Sequence, residues 1–295
     1  MNRIISIFTL ILSIFIFSCD KVKYPIVQKA TVVGSNFITK TNSSVSSTKK
    51  MLLEDYTGAR CPNCPDAAKT ATTLLVTYPT DLIVIAVHAG NFAKPFGNYI
   101  NQDFRSVAGD TWNGVSAGFG IGSYPTGLIN RKDYGTGLQI AHTNWSSVLN
   151  IAKTDPLVVK LDVTTKYDST VKSLNVDVIA SFKKVYSKNV MISVVLTEDG
   201  IKGLQDDQGV EIPEYDFEHM LRGAVNGDWG ESLKTTPIAV NDTVKKSFSN
   251  FSLNGLVYTP TTKPIVVNDK NISVVVFAYD AITREVLQVE KIKIR

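Results

Sequence analysis

Cysteine is scarce: 3 in 295 residues. That excludes a fold stapled by several disulfides and a four-cysteine zinc centre. No dense block of Lys and Arg occurs, and the formal net charge is only +4, so nothing in the charge pattern supports a nucleic-acid partner. The pairs Lys49-Lys50 and Lys183-Lys184 read as solvated surface. No internal repeat, no Gly-rich phosphate loop and no hydrolase nucleophile elbow is present, which removes the sequence grounds for nucleotide binding and for serine-hydrolase chemistry. The apolar run at residues 4–17 is too short to cross a bilayer as a stable helix.

What is there is a globular composition, 44% hydrophobic and 20% charged, enough to bury a sizeable core. Arg3, the short apolar run and then Ser18-Cys19 have the order of a secretory signal peptide, residues 1–18. Ile16-Phe17-Ser18-Cys19 resembles a lipobox, with Phe17 where a small residue is usual. The resemblance implies a lipid on Cys19, attachment to a membrane surface, and residence in the cell envelope, where disulfides persist. With Cys19 lipidated, Cys61 and Cys64 have only each other as partners within the chain.

Residues 19–48 read as the lipidated cysteine and a tether, Ser/Thr-rich from Thr41 to Thr48, with a short strand suggested by Val32, Val33 and Phe37. Residues 49–153 alternate strand and helix. A strand pattern at 51–56 leads through Thr57-Gly58 to Cys61-Pro62-Asn63-Cys64-Pro65. Ala67, Ala68, Ala71, Leu74, Leu75 and Tyr78 then recur at helical spacing up to Pro79. The apolar run 82–87 reads as a buried strand, residues 90–120 as an irregular excursion, 127–129 as a short strand, and Trp145, Val148 and Leu149 as one face of a helix. From residue 154 to 295 the pattern changes to period-2 runs between turns. Examples are Val159, Leu161 and Val163, then Leu174, Val176 and Val178, then 190–196, 248–253, 272–279 and 286–294. The expected fold is therefore α/β followed by an all-β, antiparallel sandwich-like domain, with a long loop-rich segment between about Thr197 and Pro237.

A CxxC at a strand-to-helix junction suits thiol chemistry. Free N–H groups and the positive end of the helix dipole stabilise a thiolate there. Cys61 would attack and Cys64, one turn on, would resolve the mixed disulfide, with Arg60 adding positive charge. A structural disulfide is the alternative use of the same pair.

Residues 51–75 resemble the active-site strand, turn and helix of the thioredoxin superfamily. That resemblance implies that Asp55, six residues before Cys61, is a buried acid assisting proton transfer. It also implies that Tyr124-Pro125-Thr126 is a cis-proline loop lying against the disulfide and the client backbone. Pro125 follows Cys64 by 61 residues, so 90–120 reads as an insertion, and Arg60 stands where the family has Trp. The wider chain resembles the Omp28-related outer membrane lipoproteins of the Bacteroidota. The segments that carry this are Leu52-Leu53-Glu54-Asp55-Tyr56-Thr57-Gly58, Tyr124-Pro125-Thr126-Gly127-Leu128-Ile129-Asn130-Arg131 and Glu218-His219-Met220-Leu221-Arg222, with Asn226-Gly227 and Trp229-Gly230 beyond. It implies an outer membrane location and a surface role that is adhesive or receptor-like.

Two functions follow as expectations. One is an envelope thiol–disulfide oxidoreductase in which Cys61, Cys64, Asp55 and Pro125 carry the chemistry, needing no cofactor. The other is a non-catalytic surface lipoprotein (adhesin, receptor or assembly component) with a structural disulfide. Partners are envelope protein clients or surface proteins, and the membrane through the N-terminal lipid, with no nucleic acid. His88 ends an apolar strand; it reads first as structural, with a place near the site as the alternative. His219, among Asp206, Asp207, Glu211, Glu214 and Asp216, matches no metal-ligand spacing, so no metal is expected and the segment reads as a solvated acidic loop. Trp229 and Tyr215 read first as core or loop packing residues, with a recognition surface on the second domain as the alternative.

Overall fold

Strands β2 (Met51–Thr57) and β3 (Leu82–His88) are buried along their whole length and pair in parallel, Met51 opposite Leu82 through Thr57 opposite His88. Continuous apolar strands of this kind are covered on both faces. Between them runs helix α1 (Cys64–Thr77), with Pro65 in its first turn and Ala67, Ala71 and Leu74 on its buried side. The computed structural model describes residues 37–42, 47–256 and 266–295. The expected signal peptide, Cys19 and the Val32-Val33 strand expectation lie outside the described residues.

The other elements are β1 (Phe37–Thr41), α2 (Gly90–Ala93), α3 (Val107–Asn113), β4 (Thr126–Ile129), α4 (Trp145–Ala152), β5 (Val159–Asp168), β6 (Ser173–Phe182), β7 (Val190–Glu198), β8 (Ile201–Asp207), β9 (Val210–Phe217), β10 (Met220–Ala224), β11 (Glu231–Lys234), β12 (Thr243–Ser252), β13 (Ile272–Asp280) and β14 (Val286–Lys293). An eight-stranded mixed sheet has the order β14-β13-β7-β10-β3-β2-β4, with β11 also paired to β7. A four-stranded antiparallel sheet has the order β1-β5-β6-β12, and β8 and β9 form a separate two-stranded ribbon.

The large sheet has two different coats on one face. Over β2, β3 and β4 lie α1 and α4, closing a core of Leu53, Val84, Ile129, Leu74, Trp145 and Val148. Over β7 and β13 lies the four-stranded sheet, whose alternating inward residues Val159, Leu161, Val163, Leu174, Val176 and Val178 meet Ile192, Val194, Val274 and Val276. The opposite face carries one continuous core. Trp112 of α3 packs there with Leu52 and Tyr56 of β2, Ile85 of β3, Val195 of β7 and Phe277 of β13. Burying each such side chain is worth about 1.5–3 kcal/mol.

The expected division at residue 153 therefore marks a change of secondary structure, not a gap between layers. Strand β10 joins the halves by pairing in parallel with β3 and antiparallel with β7, and Asn36–Arg295 is one compact unit. The all-β portion is sandwich-like only in part, because one of its two sheets is the extension of the α/β sheet. The 90–120 excursion contains α2 and α3 and supplies the coat for the shared face.

Two further expectations are corrected. The 197–237 segment holds four strands, β8 to β11. Lys49 and Lys50 are buried, not solvated, and pair with Asp155 and Glu290 respectively. Their partners are more than 100 residues away in sequence, so no local pattern betrays them.

Candidate functional site

Thr57 ends β2 and the chain turns at Gly58, which must be Gly because a Cβ there would lie 2.5 Å from the Phe92 carbonyl carbon. The approach is tight because Arg60 N–H donates to Phe92 O at 3.0 Å. The turn closes with Cys61 N–H to Gly58 O and Cys64 N–H to Cys61 O, and α1 begins at Cys64. Cys61 and Cys64 are joined in a disulfide with Cα atoms 5.4 Å apart. Arg60 turns away from the sulfurs: its guanidinium donates to Asn91 O and lies over the Phe96 ring.

The disulfide is covered. Cys61 is 1% and Cys64 2% exposed. The cover is the β8–β9 ribbon. Asp206 N–H donates to Ala59 O at 2.9 Å and Gln208 N–H to Pro62 O at 3.0 Å, so β8 runs along the cysteine loop. The buried Gln205 amide donates to Cys61 O at 3.1 Å, and Gln208 Nε2 to Asn63 Oδ1 at 3.0 Å. The ribbon is anchored by Ile201 and Phe217, which pack with Ala59, Tyr99, Phe104 and Met220.

Beside the disulfide is a cavity of about 140 Å³ whose lining includes Cys64, Asp55, Thr57, His88, Gln205, Tyr215, Glu218 and His219. Asp55 is 3% exposed and its Oδ1 has no hydrogen-bond partner. Burial pushes its carboxyl up to about 7. His88 is also buried, with neither ring nitrogen hydrogen-bonded, between the edges of Phe104 and Phe217; burial holds its imidazole down to about 3, so it is neutral. Both residues face the cavity because Asp55 and Thr57 share a side of β2, and the register sets His88 beside Thr57.

The Tyr124–Pro125 peptide is cis, and the next residue, Thr126, pairs with Tyr56 while Gly127 pairs with Asp55. The proline loop thus abuts the carboxyl end of β2, the end that carries the cysteines. Tyr124 OH donates to Asn113, tying the loop to α3. The rest of that motif is structural. Asn130 and Arg131 both have φ of +50°, Asn130 Oδ1 accepts from Leu52 N–H, and Arg131 makes a two-pronged ion pair with Glu54 at 2.8 and 2.6 Å. The guanidinium sits against the rings of Trp112, Phe277 and Phe119 at 4.7, 4.8 and 5.0 Å. Trp229 belongs to the same aromatic group, and Arg284 stacks on it at 3.7 Å.

Sequence reasoning missed this pair, although a Glu inside a fully buried strand is a signal that a cation must meet it. His88, which reads from the sequence as structural or near the site, is buried and lines the cavity. His219 is not in a loose loop. Its N–H and Nδ1 both meet Asp199 Oδ1 at 2.8 Å, and Lys291 Nζ lies 3.4 Å from the same ring nitrogen. That ammonium already supplies the positive charge beside Asp199.

The fold and site define a class: a mixed-sheet α/β protein with a buried CxxC disulfide at a helix start and a partly antiparallel β extension. The chain belongs to the Omp28 family, described as outer membrane protein Omp28, which matches residues 113–295. Among solved structures it is similar to HBP35 of Porphyromonas gingivalis, at 16% identity and a TM-score of 0.63 over 84% of this chain and 76% of that one. At that identity the likeness is one of fold. A domain of the outer membrane lipoprotein Omp28 from the same organism also matches, at 23% identity and a TM-score of 0.29, over 46% of this chain and 87% of that one. No curated protein matches its sequence. No helix among the described residues is long and apolar enough to cross a membrane.

Proposed function

We propose that this chain is a lipid-anchored outer membrane protein whose thioredoxin-like half exchanges disulfides with envelope proteins. The observation that carries the reading is Asp55: a buried carboxyl with an unpartnered oxygen, lining the same cavity as Cys64. Burying an acid without a partner costs stability, and a disulfide used only as a staple gains nothing from it. An exchanging pair does gain, because Cys64 must lose and regain a proton in each cycle.

In the reductive direction the Cys61 thiolate attacks a client disulfide and one client sulfur leaves as thiolate. Asp55 carboxylate then takes the Cys64 proton, and Cys64 attacks Cys61 Sγ. The second client sulfur is expelled, and the protein ends oxidised. Run backwards, the same steps oxidise a client dithiol. The helix start at Cys64 favours thiolate, and the cis Pro125 loop would hold the client backbone. Strand β2 between a parallel and an antiparallel neighbour, with the CxxC at its carboxyl end, supports the thioredoxin-like assignment. Cys19 at the end of the apolar N-terminal run supports the lipid anchor, and the family's description supports the outer membrane.

A second reading is favoured by one observation. The β8–β9 ribbon leaves Cys61 1% exposed, which suits a structural disulfide in a non-catalytic adhesin, receptor or assembly component. Equilibration with glutathione separates the two. A Cys61–Cys64 potential between roughly −120 and −270 mV supports exchange, and one below about −300 mV assigns the pair to structure.

A further inference from the structure

The cavity beside the disulfide raises a question of proton traffic. The outer side of the cysteine loop is closed by β8, and Asp55 Oδ1 has no hydrogen-bond partner among the described residues through which to trade a proton. At about 140 Å³ the cavity has room for several waters, since one needs roughly 10–15 Å³ of such volume. His219 and Glu218 also line it, and these are placed by the fold, not by chance. Ala86 of β3 stands opposite Asp55 on one side and Met220 of β10 on the other, and Ala86 N–H donates to His219 O at 2.8 Å. His219 adopts a left-handed φ of +57° at the ribbon's exit, where Asp199 receives both its N–H and its Nδ1.

Asp199 is an ionised acceptor. Although burial opposes it, the His219 hydrogen bond and Lys291 hold its carboxyl well below the usual range. Nδ1 is the ring nitrogen that meets Asp199 and Lys291, which leaves Nε2 as the ring nitrogen without a hydrogen-bond partner among the described residues. Partial exposure of the His219 side chain, 22%, puts the same ring in contact with solvent. The groups around it are Asp199 after β7, Asp216 and Glu218 at the end of β9, Lys291 on β14, Lys69 on α1 and Asp55 on β2. Burial raises the Glu218 carboxyl and lowers the Lys291 ammonium, which brings both towards neutral pH and makes them the rival carriers from which a His219 variant must be told apart.

We propose that His219, oriented by Asp199, passes the Cys64 proton between the Asp55 cavity and solvent. This rests on the exchange function proposed above. The step is the resolution of a mixed disulfide. Cys64 thiol gives its proton to Asp55 carboxylate, its sulfur bonds to Cys61 Sγ, and the departing sulfur leaves with the electron pair. The proton then crosses the cavity water to His219 Nε2 and is released. His219 acts through Asp55, and touches neither sulfur.

The test uses the reduced full-length protein in detergent, mixed with oxidised glutathione, with the lifetime of the glutathione adduct on Cys61 followed by mass spectrometry across pH. Asn tolerates the left-handed backbone, so His219→Asn is the variant. The adduct should persist about tenfold longer, the pH profile should flatten, and added imidazole should restore the rate. The equilibrium potential should stay that of the wild type, because a relay changes rate alone. Asp199→Asn should lengthen the lifetime less. A folded His219→Asn protein with wild-type lifetimes overturns the proposal, as does a slowed variant that imidazole does not rescue and whose potential has moved. A wild-type disulfide that stays oxidised at equilibrium in excess reduced glutathione sinks the exchange function instead, and that equilibrium is read separately from the lifetimes.

Discussion

Glu54 and Asp55 are neighbours on one buried strand, and the sheet sends them to opposite faces. Glu54 is 0% exposed and meets Arg131 through two hydrogen bonds, under a roof of aromatic rings. Asp55 is 3% exposed and has an oxygen with no partner. The first is a charge that the fold satisfies with a cation, a bidentate geometry and π faces. The second is an acid left unsatisfied beside a disulfide. A fold that solves the problem completely at one residue and leaves it open at the next points to chemistry at the second.

The comparison breaks first at the satisfied side. Arg131→Met should strip Glu54 of its counter-charge and lower stability by about 3–5 kcal/mol in urea unfolding. Adding Glu54→Leu should recover most of that loss, because the penalty is the stranded carboxylate. A single variant as stable as the wild type would mean that the pair is not holding this face together.

The open side should show itself as a pH slope. The Asp55 carboxyl is raised from 3.8 to about 7 in the folded protein. The folded chain therefore holds a proton that the unfolded chain releases, and the stabilisation is fully present below pH 4 and lost as pH rises through about 7. At about 1.4 kcal/mol per pH unit this amounts to roughly 4 kcal/mol across the window from 3.8 to about 7. Asp55→Asn should remove this slope and make the oxidised protein more stable at pH 8. A slope unchanged by the substitution would put the titrating group elsewhere.

The smallest effect belongs to the cover. Gln205→Ala removes the hydrogen bond to Cys61 O and should cost about 1 kcal/mol. Reduction of the disulfide by dithiothreitol should become a few-fold faster as the ribbon loosens. Equal rates would mean that β8 does not limit access to Cys61, and the structural reading of the disulfide would lose its main support.

Much of the candidate site is legible along the chain because its parts are local. The strand before the cysteines, the helix after them and the proline in its first turn follow from apolar spacing and from backbone rules. The β8–β9 ribbon is not legible. Most of its residues are exposed or half-buried on both faces, so it lacks the period-2 apolar pattern of a half-buried strand and reads as an acidic loop. The continuous sheet is equally hidden. β10 is five residues long, and only its pairing with β3 and β7 makes it the link between the two halves.

The sequence by itself determined that Cys61 and Cys64 sit at a strand-to-helix junction, with an acid six residues upstream, because those relations are set within a few turns of backbone. Only the tertiary structure decided what surrounds them. The cover over Cys61, the cavity beside Cys64, the cation for Glu54 and the carboxylate that orients His219 come from residues 20 to 144 positions away. Such contacts are selected by which faces must be buried together, and no local periodicity encodes that choice.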